Sequence, residues 1–348
     1  MTLVDAFLRE QRDRLGVEGL DGEDSWSTVL YTPRFRSSRH VIALVHAGAG
    51  GELKLVVKLP RRPGDESGIR KEAASLRLLE ALAPDAAERA PRVLALTRFG
   101  GQALLAETAV NGRLLAHGLV RADAERAVRQ GVALVRTLPT TAVPGEDGGW
   151  FERLLEEPMA RAVNAAGGWL PLRSLVERST ALLAPLPEAS FPLVFEHGDL
   201  AHPNLVLKPD GMVAAIDWER SEDRGLPLLD MSFLLQYLAE ARTGISDNVG
   251  RCHVFDGAFL GPRGWARQIL FDELDRLGIA RDLLAPLVLA AWIRSSTSLL
   301  GRLWGEAGTG DDGAAPADGA AVAASFAQDR DFALWRHVAT RMSELAAA

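Results

Sequence analysis

The spacing of apolar residues along this chain changes once, near residue 108, and that change constrains the fold more than any other feature. Before it, five short runs read as strands. Trp26 to Thr32, His40 to His46 and Glu52 to Leu59 follow closely, each rich in β-branched or aromatic residues and bounded by turn formers. In the third run Leu53, Leu55, Val57 and Leu59 alternate with Lys54, Val56 and Lys58, so two amines share one face. Pro60 and Pro63-Gly64 end the strand, and a helix is expected from Glu66 to Leu82 with Ile69, Ala73, Leu76, Leu79 and Leu82 as its buried stripe. Arg92 to Thr97 and Gln102 to Glu107 complete an antiparallel sheet of five strands. From Arg113 onward the period is helical, over Ala122–Leu138, Trp150–Ala165, Leu172–Leu186, Leu229–Arg242, Arg263–Leu277 and Leu283–Leu303, with a last helix ending near Leu345. One interruption is β-like: Leu205-Val206-Leu207 and Met212 to Ile216 flank Pro209-Asp210-Gly211, a strong hairpin signal. The expected fold class is α+β in two lobes, a sheet lobe over residues 1–108 and a mainly helical lobe over 109–348. Gly305 to Gly319, rich in Gly, Ala and Asp, reads as a loop.

Composition removes several alternatives. The net charge of −7 argues against a nucleic-acid partner, since such affinity comes from many phosphate contacts. Cys252 is the only cysteine, so neither an intrachain disulfide nor a thiolate zinc cluster can form. The first fifteen residues spread their charges at helical spacing, unlike a secretory signal, and the longest apolar run, Leu283 to Ile293, is too short to span a membrane. A cytoplasmic chain with no membrane partner is expected. Only Lys54, Lys58, Lys71 and Lys208 are lysines among 39 basic residues, which directs attention to each of them.

The chemistry concentrates in Glu196-His197-Gly198-Asp199-Leu200-Ala201-His202-Pro203-Asn204 and, after the hairpin, Ile216-Asp217-Trp218-Glu219. A His-x-Asp with an Asn five residues beyond the Asp, then a hairpin returning a second Asp, is the catalytic-loop spacing of kinases. Phosphoryl transfer needs a carboxylate to orient and deprotonate a hydroxyl, and oxygen ligands for Mg²⁺. With Gly198 where protein kinases have Arg, the stretch resembles the aminoglycoside phosphotransferase and choline kinase family, whose signature reads His-Gly-Asp-x-x-x-x-Asn and then Ile-Asp-x-Glu.

That resemblance implies a protein-kinase-like fold, ATP or GTP as co-substrate, Mg²⁺ as cofactor and a small-molecule hydroxyl as acceptor. It implies Asp199 as catalytic base, Asn204 and Asp217 as metal ligands, and Glu219 as a supporting acid. His197 becomes a structural hydrogen-bonder, and Asp230 the brace of the catalytic loop. Kinases also need a lysine on strand three oriented by a glutamate on the next helix, and Lys58 and Glu72 stand in those places; Glu72 lies on the apolar face, where a charge calls for a partner. Leu104 to Ala109, with Glu107 and Thr108, would be the purine-holding hinge, and Val206 and Ile216 would lie beneath the ring, with core packing the alternative for those two.

The turn Pro33 to Arg39 has no Gly, so a glycine-rich phosphate cover is absent; Ser37 and Ser38 are its candidate phosphate donors. Gly48-Ala49-Gly50-Gly51 joins two strands and reads as a hairpin turn. His197, Asp199 and His202 admit a weaker reading as a hydrolase metal cluster, while His202 is also a candidate for the acceptor pocket. Between Glu196 and Asp247 ten acidic residues face four basic ones, which favours a cationic acceptor such as an aminoglycoside. Trp150, Phe151, Trp169, Trp292, Trp304 and Trp335 are either core or stacking surfaces for a sugar. The expected activity is phosphorylation of an antibiotic, an aminoglycoside-like compound or a sugar-containing acceptor. A non-catalytic nucleotide-binding pseudokinase, or a kinase of choline, homoserine or a simple sugar, are the alternatives.

Overall fold

The computed structural model describes residues 2–18, 20, 26–32, 39–48, 51–62, 64–142, 149–261, 264–300 and 319–346. Ser37 and Ser38, Ala49 and Gly50, Trp304 and residues 305–318 of the expected loop lie outside the described residues. The chain divides into two units, Met1–Leu114 with Pro203–Ser221, and Leu115–His202 with Glu222–Ala348. The hairpin bearing Asn204 and Asp217 is therefore grouped with the sheet, although it lies within the helical stretch of sequence.

In the first unit β1 (Trp26–Tyr31), β2 (His40–Ala47), β3 (Glu52–Pro60), β4 (Val93–Phe99) and β5 (Gln102–Thr108) form one sheet in the order β1-β2-β3-β5-β4. Every neighbouring pair is antiparallel. Alternation along β3 sends Leu55 and Val57 to one face and Lys58 to the other. The first face is sealed by α1 (Leu3–Leu15), whose Val4, Phe7 and Leu8 join Ala43, Val45, Leu55, Val57 and Ala106 in a buried cluster. Thr2 and Asp5 start this helix with a capping box, and Asp5 also accepts a bond from the Thr28 hydroxyl of β1 at 2.8 Å. Against the opposite face, Ile69 and Ala73 of α2 (Ser67–Leu82) pack on Ala103 and Leu105. Leu82, expected in the buried stripe of α2, is half exposed at the last position of the helix.

A short β6 (Arg113–Leu114) follows the sheet, and β7 (Thr140–Ala142) and β8 (Leu193–Glu196) belong to the second unit. The hairpin strands are β9 (Leu205–Leu207) and β10 (Val213–Ala215), with β11 (Glu222–Gly225) after them. β10-β9-β6 makes a three-stranded sheet in the first unit, and β11-β8-β7 another in the second. The 204–217 hairpin is as expected, and the Ile216 amide closes it on the Asn204 carbonyl at 2.9 Å. The segments 140–142, 193–196 and 222–225 were not legible as strands, since they are too short for alternation to register.

The second unit is otherwise helical. Leu229–Thr243 is buried on all sides from Leu229 to Ala241, which explains its weak amphipathic pattern. The expected helix Ala122–Leu138 is Ala124–Val135, started by the Asp123 carboxylate accepting the Arg126 amide, and a separate short helix, His117–Ala122, precedes it. Asn248–Phe259 is an additional helix; only Val254, Phe255, Ala258 and Phe259 of it are buried, too few to mark a stripe in sequence. Among the described residues no helix is long and apolar enough to cross a membrane.

Phe7 is fully buried and meets Phe99 edge to face at 5.7 Å. Phe7→Ala is expected to lower stability by about 3–5 kcal/mol, read from the urea midpoint at unchanged slope. A loss below ~1 kcal/mol would show that α1 does not seal this sheet face.

Candidate functional site

In the first unit four side chains from four separate segments converge. The Lys58 ammonium lies 2.6 Å from Glu72 Oε1, 3.3 Å from Glu107 Oε1 and 3.6 Å from Asp217 Oδ1. Lys58, Glu72 and Glu107 are all buried. Buried charge of this kind persists only when paired, and here one cation faces three carboxylates. Burial opposes the lysine's charge, but Glu107, Glu72 and Asp217 outweigh it and hold its pKa well above the ordinary value. The same burial raises both glutamates, against the pull of Lys58. One oxygen of each, Oε2, has no hydrogen-bond partner among the described residues.

Glu72 Oε1 also accepts the Trp218 amide at 2.9 Å. This bond joins α2 to the segment carrying Asp217. The Trp218 ring is buried and its indole N–H donates to the Ala215 carbonyl at 3.0 Å. Asp217 sits between these anchors with φ 69° and ψ 65°, a left-handed conformation that L side chains adopt only when neighbours compel it.

Sequence reasoning missed a further group beside Asp217. His40, at the start of β2, places Nδ1 3.5 Å from Glu219 Oε2, and His40, Asp217 and Glu219 each offer an atom within 4.8 Å of the others. A Cβ on Gly68 would fall 2.7 Å from the His40 ring, so α2 can approach only with glycine there. Burial, then the charge of Lys58, pushes His40 down to about 4, leaving a neutral imidazole at neutral pH. No motif marks His40, because the proximity is created by strand pairing and not by spacing.

The segment expected as the hinge closes β5. Glu107 turns its side chain inward onto Lys58, and the amides of Thr108 and Ala109 are occupied by the carbonyls of Arg92 and Lys54 at 2.9 and 3.2 Å. Val206 is buried and Ile216 half-buried. Asn204 is also buried, and its carbonyl belongs to the hairpin closure described above.

The second unit holds His197, Gly198 and Asp199 directly after β8. Asp230 accepts the amides of His197 and Gly198 at 2.6 and 2.9 Å, one on each oxygen. The Asp199 amide donates to His197 Nδ1 at 3.2 Å, so the imidazole acts on backbone. Gly198 has φ 79°, which fits the glycine that separates this loop from the protein-kinase pattern. Glu196, one residue earlier, is buried; Oε1 accepts Arg294 Nε at 2.7 Å and Oε2 the Leu226 amide at 3.0 Å. Arg294 also approaches Glu222, which Arg153 holds at 2.8 Å. Arg294 and Arg153 had no sequence signal. His202 is largely exposed, and its partial desolvation, with the nearby charge of His117, lowers its pKa.

Burial, reinforced by the Glu196 charge and opposed by the two amides, lifts Asp230 to about 7. Between its ordinary value of 3.8 and about 7 the native state keeps a proton that the unfolded chain has released, so stability falls as pH rises through that window. From pH 5 to 8 the wild type should lose on the order of 2–3 kcal/mol more than Asp230→Asn, measured by urea unfolding of both. Equal losses would mean that Asp230 does not titrate there.

Comparison with known proteins adds the family. A sequence profile described as the phosphotransferase enzyme family matches residues 37–267. No curated protein matches the chain significantly. Among solved structures, choline kinase LicA from Streptococcus pneumoniae aligns with a TM-score of 0.53 at 14% identity, over 97% of this chain and 99% of that one. An aminoglycoside phosphotransferase solved with GDP and kanamycin aligns at 0.51 and 14% identity, over 98% of both chains. Another, a thermostable mutant solved with AMP-PNP and hygromycin B, aligns at 0.52 and 13% identity, over 97% and 99%. These likenesses establish the protein-kinase-like fold. The family profile covers more than half of the sequence, and the chain belongs to the phosphotransferase enzyme family as a small-molecule kinase.

Proposed function

We propose that the protein transfers the γ-phosphoryl group of ATP or GTP to a hydroxyl of a sugar-containing small molecule, in a Mg²⁺-dependent reaction. The observation that carries this reading is the Lys58–Glu72 pair at 2.6 Å, with Glu72 also holding the amide next to Asp217. An amine for phosphate and a metal-binding carboxylate are thereby fixed to one another before any ligand arrives. Such preorganisation is what phosphoryl transfer requires, because catalysis there rests on position and charge.

The residues fit a magnesium ion. Asn204 and Asp217 offer hard oxygen donors, which suit Mg²⁺ better than a softer metal, and the Asp217 side chain is 39% exposed. When bound, the ion neutralises phosphate charge. Lys58 binds the α- and β-phosphates, and Glu72 orients its amine. Asp199 orients the acceptor hydroxyl and takes its proton, while Asp230 and His197 hold the backbone that presents it. Glu219 supports the metal side of the site.

The acceptor is the less constrained half. Much of the local excess of acid that favours a cationic acceptor is engaged by partners of this chain: Glu196 and Glu222 with Arg294 and Arg153, Asp230 with backbone amides and, at the surface, Asp210 with Lys208 at 3.2 Å. This supports the sugar arm of the expectation over the aminoglycoside arm. Chemical defence against a sugar-bearing antibiotic, or its modification during synthesis, would be a role compatible with that acceptor.

Nucleotide consumption with ATP and with GTP, across hydroxyl acceptors and with Mg²⁺ or EDTA, tests the reaction. Turnover is expected only with Mg²⁺; nucleotide binding without turnover of any acceptor would favour the pseudokinase alternative. With a confirmed acceptor, Asp199→Asn should lower kcat by about 10²–10⁴, and a near-wild-type kcat would remove its role as base. Asp217→Ala should abolish turnover without rescue by higher nucleotide.

A further inference from the structure

The second unit contains a cage of the kind that binds organic cations, and the chain fills it with its own arginine. Phe233 and Trp292 lie 5.9 Å apart, both buried. The Arg330 guanidinium sits 4.9 Å from the Phe233 ring and 6.0 Å from that of Trp292. Two buried carboxylates complete the enclosure, Glu240 at 3.2 Å and Asp331 at 3.1 Å. Both are themselves fixed: Gln236 donates to Glu240 at 2.8 Å, and the Ser295 hydroxyl to Asp331 at 2.6 Å. Aromatic faces with carboxylates are the chemistry that recognises ammonium and guanidinium groups.

The cage adjoins the catalytic loop. Phe233 is one helical turn beyond Asp230, the residue that holds the amides of His197 and Gly198. Trp292 and Ser295 flank Arg294, which grips Glu196 from the same helix, Leu284–Leu300. The Asp199 carboxylate is among the charges that favour the Arg330 cation.

We propose that Arg330 is a specificity-determining residue of the acceptor site: by filling this cage from within, it selects a neutral, oxygen-rich hydroxyl compound such as a sugar ring and rejects acceptors anchored by an ammonium group. The inference rests on the phosphotransfer reading of Asp199. Two features support it. First, Arg251 lies 3.4 Å from Glu240, so the two carboxylates of the cage already face two cations of this chain. Second, Arg330 makes its carboxylate bonds through one N–H on each of its two terminal nitrogens, and its side chain is 21% exposed. A guanidinium has five N–H donors in a fixed fork, so its remaining edge suits hydroxyl and ether oxygens. An incoming ammonium would have to displace a tethered cation held by two ion pairs and two rings.

The test uses Arg330→Ala in the full chain, with methylguanidinium and choline as probes in thermal unfolding. Millimolar probe should raise the Tm of the variant by several degrees and leave the wild type unmoved. Stabilisation of the wild type by choline, or no stabilisation of the variant by either probe, would overturn the proposal. Arg330→Gln, neutral and similar in length, carries the same comparison if the alanine variant does not fold. With turnover established, the ratio of kcat/KM for choline or kanamycin to that for a neutral sugar should rise at least tenfold in the variant; an unchanged ratio counts against Arg330. Calorimetry of Mg-ATP binding to the wild type is independent of the cage. Failure there would strike the phosphotransfer reading, while the probe shifts still decide what Arg330 does.

Discussion

A single carboxylate oxygen, Oε1 of Glu72, joins three separately built parts of the first unit. It takes a hydrogen bond from Lys58 and another from the Trp218 amide, in a place where solvent does not reach. A charge so placed tolerates no loss of partner: removing one member of a buried pair commonly costs about 3–5 kcal/mol, because the other is left uncompensated. The sheet presents Lys58, α2 presents Glu72, and the hairpin returns Trp218. Each element is held by its own packing, and the shared oxygen makes their positions mutually dependent. The left-handed backbone of Asp217 follows from that arrangement, since the residue is pinned between the hairpin closure and the buried indole.

The second unit solves a related problem with the same chemistry. Asp230 places one oxygen on each of two consecutive amides, so the backbone before Asp199 is fixed by an acid and not by a regular element. Glu196 repeats the device on the Leu226 amide and is itself matched by Arg294. Both acids are buried, and the Glu196 charge adds to the burial that lifts Asp230. The loop that carries Asp199 is thus built from groups that would be unstable if the fold loosened. Rigidity and the local cost of charge have one origin.

What could be read from the chain alone was whatever spacing encodes. Alternation in β3 placed Lys58, the Pro209-Asp210-Gly211 turn placed the hairpin, and the short signature around Asp199 indicated the chemistry. Glu72 was legible only as an anomaly, a charge on an apolar helix face. His40, Arg294 and Arg330 were not legible, because their importance comes from partners far along the sequence: Glu219, Glu196, and the cage of Phe233, Trp292 and Glu240. Glu107 shows the intermediate case. Its place at the end of β5 was evident, but the direction of its side chain depends on the strand register that sets Glu107 opposite Val56 and beside Lys58.

Net charge illustrates the same limit in energetic terms. A surplus of acid in a stretch of sequence suggests an attraction for cations, but a field acts on a ligand only through charges that remain unmatched near it. Around the Asp199 loop Glu196, Glu222 and Asp230 are matched, by arginine side chains or by backbone amides, and each match lowers the field that an approaching ligand would meet. The Arg330 cage takes this furthest, because its aromatic rings and carboxylates would form an attractive cation site if it were empty. Filled by a tethered guanidinium, it turns a surface of cation-binding composition into one that offers N–H donors. Composition sets which groups are available near the acceptor, and the pairing within the fold decides which sign of charge the acceptor meets.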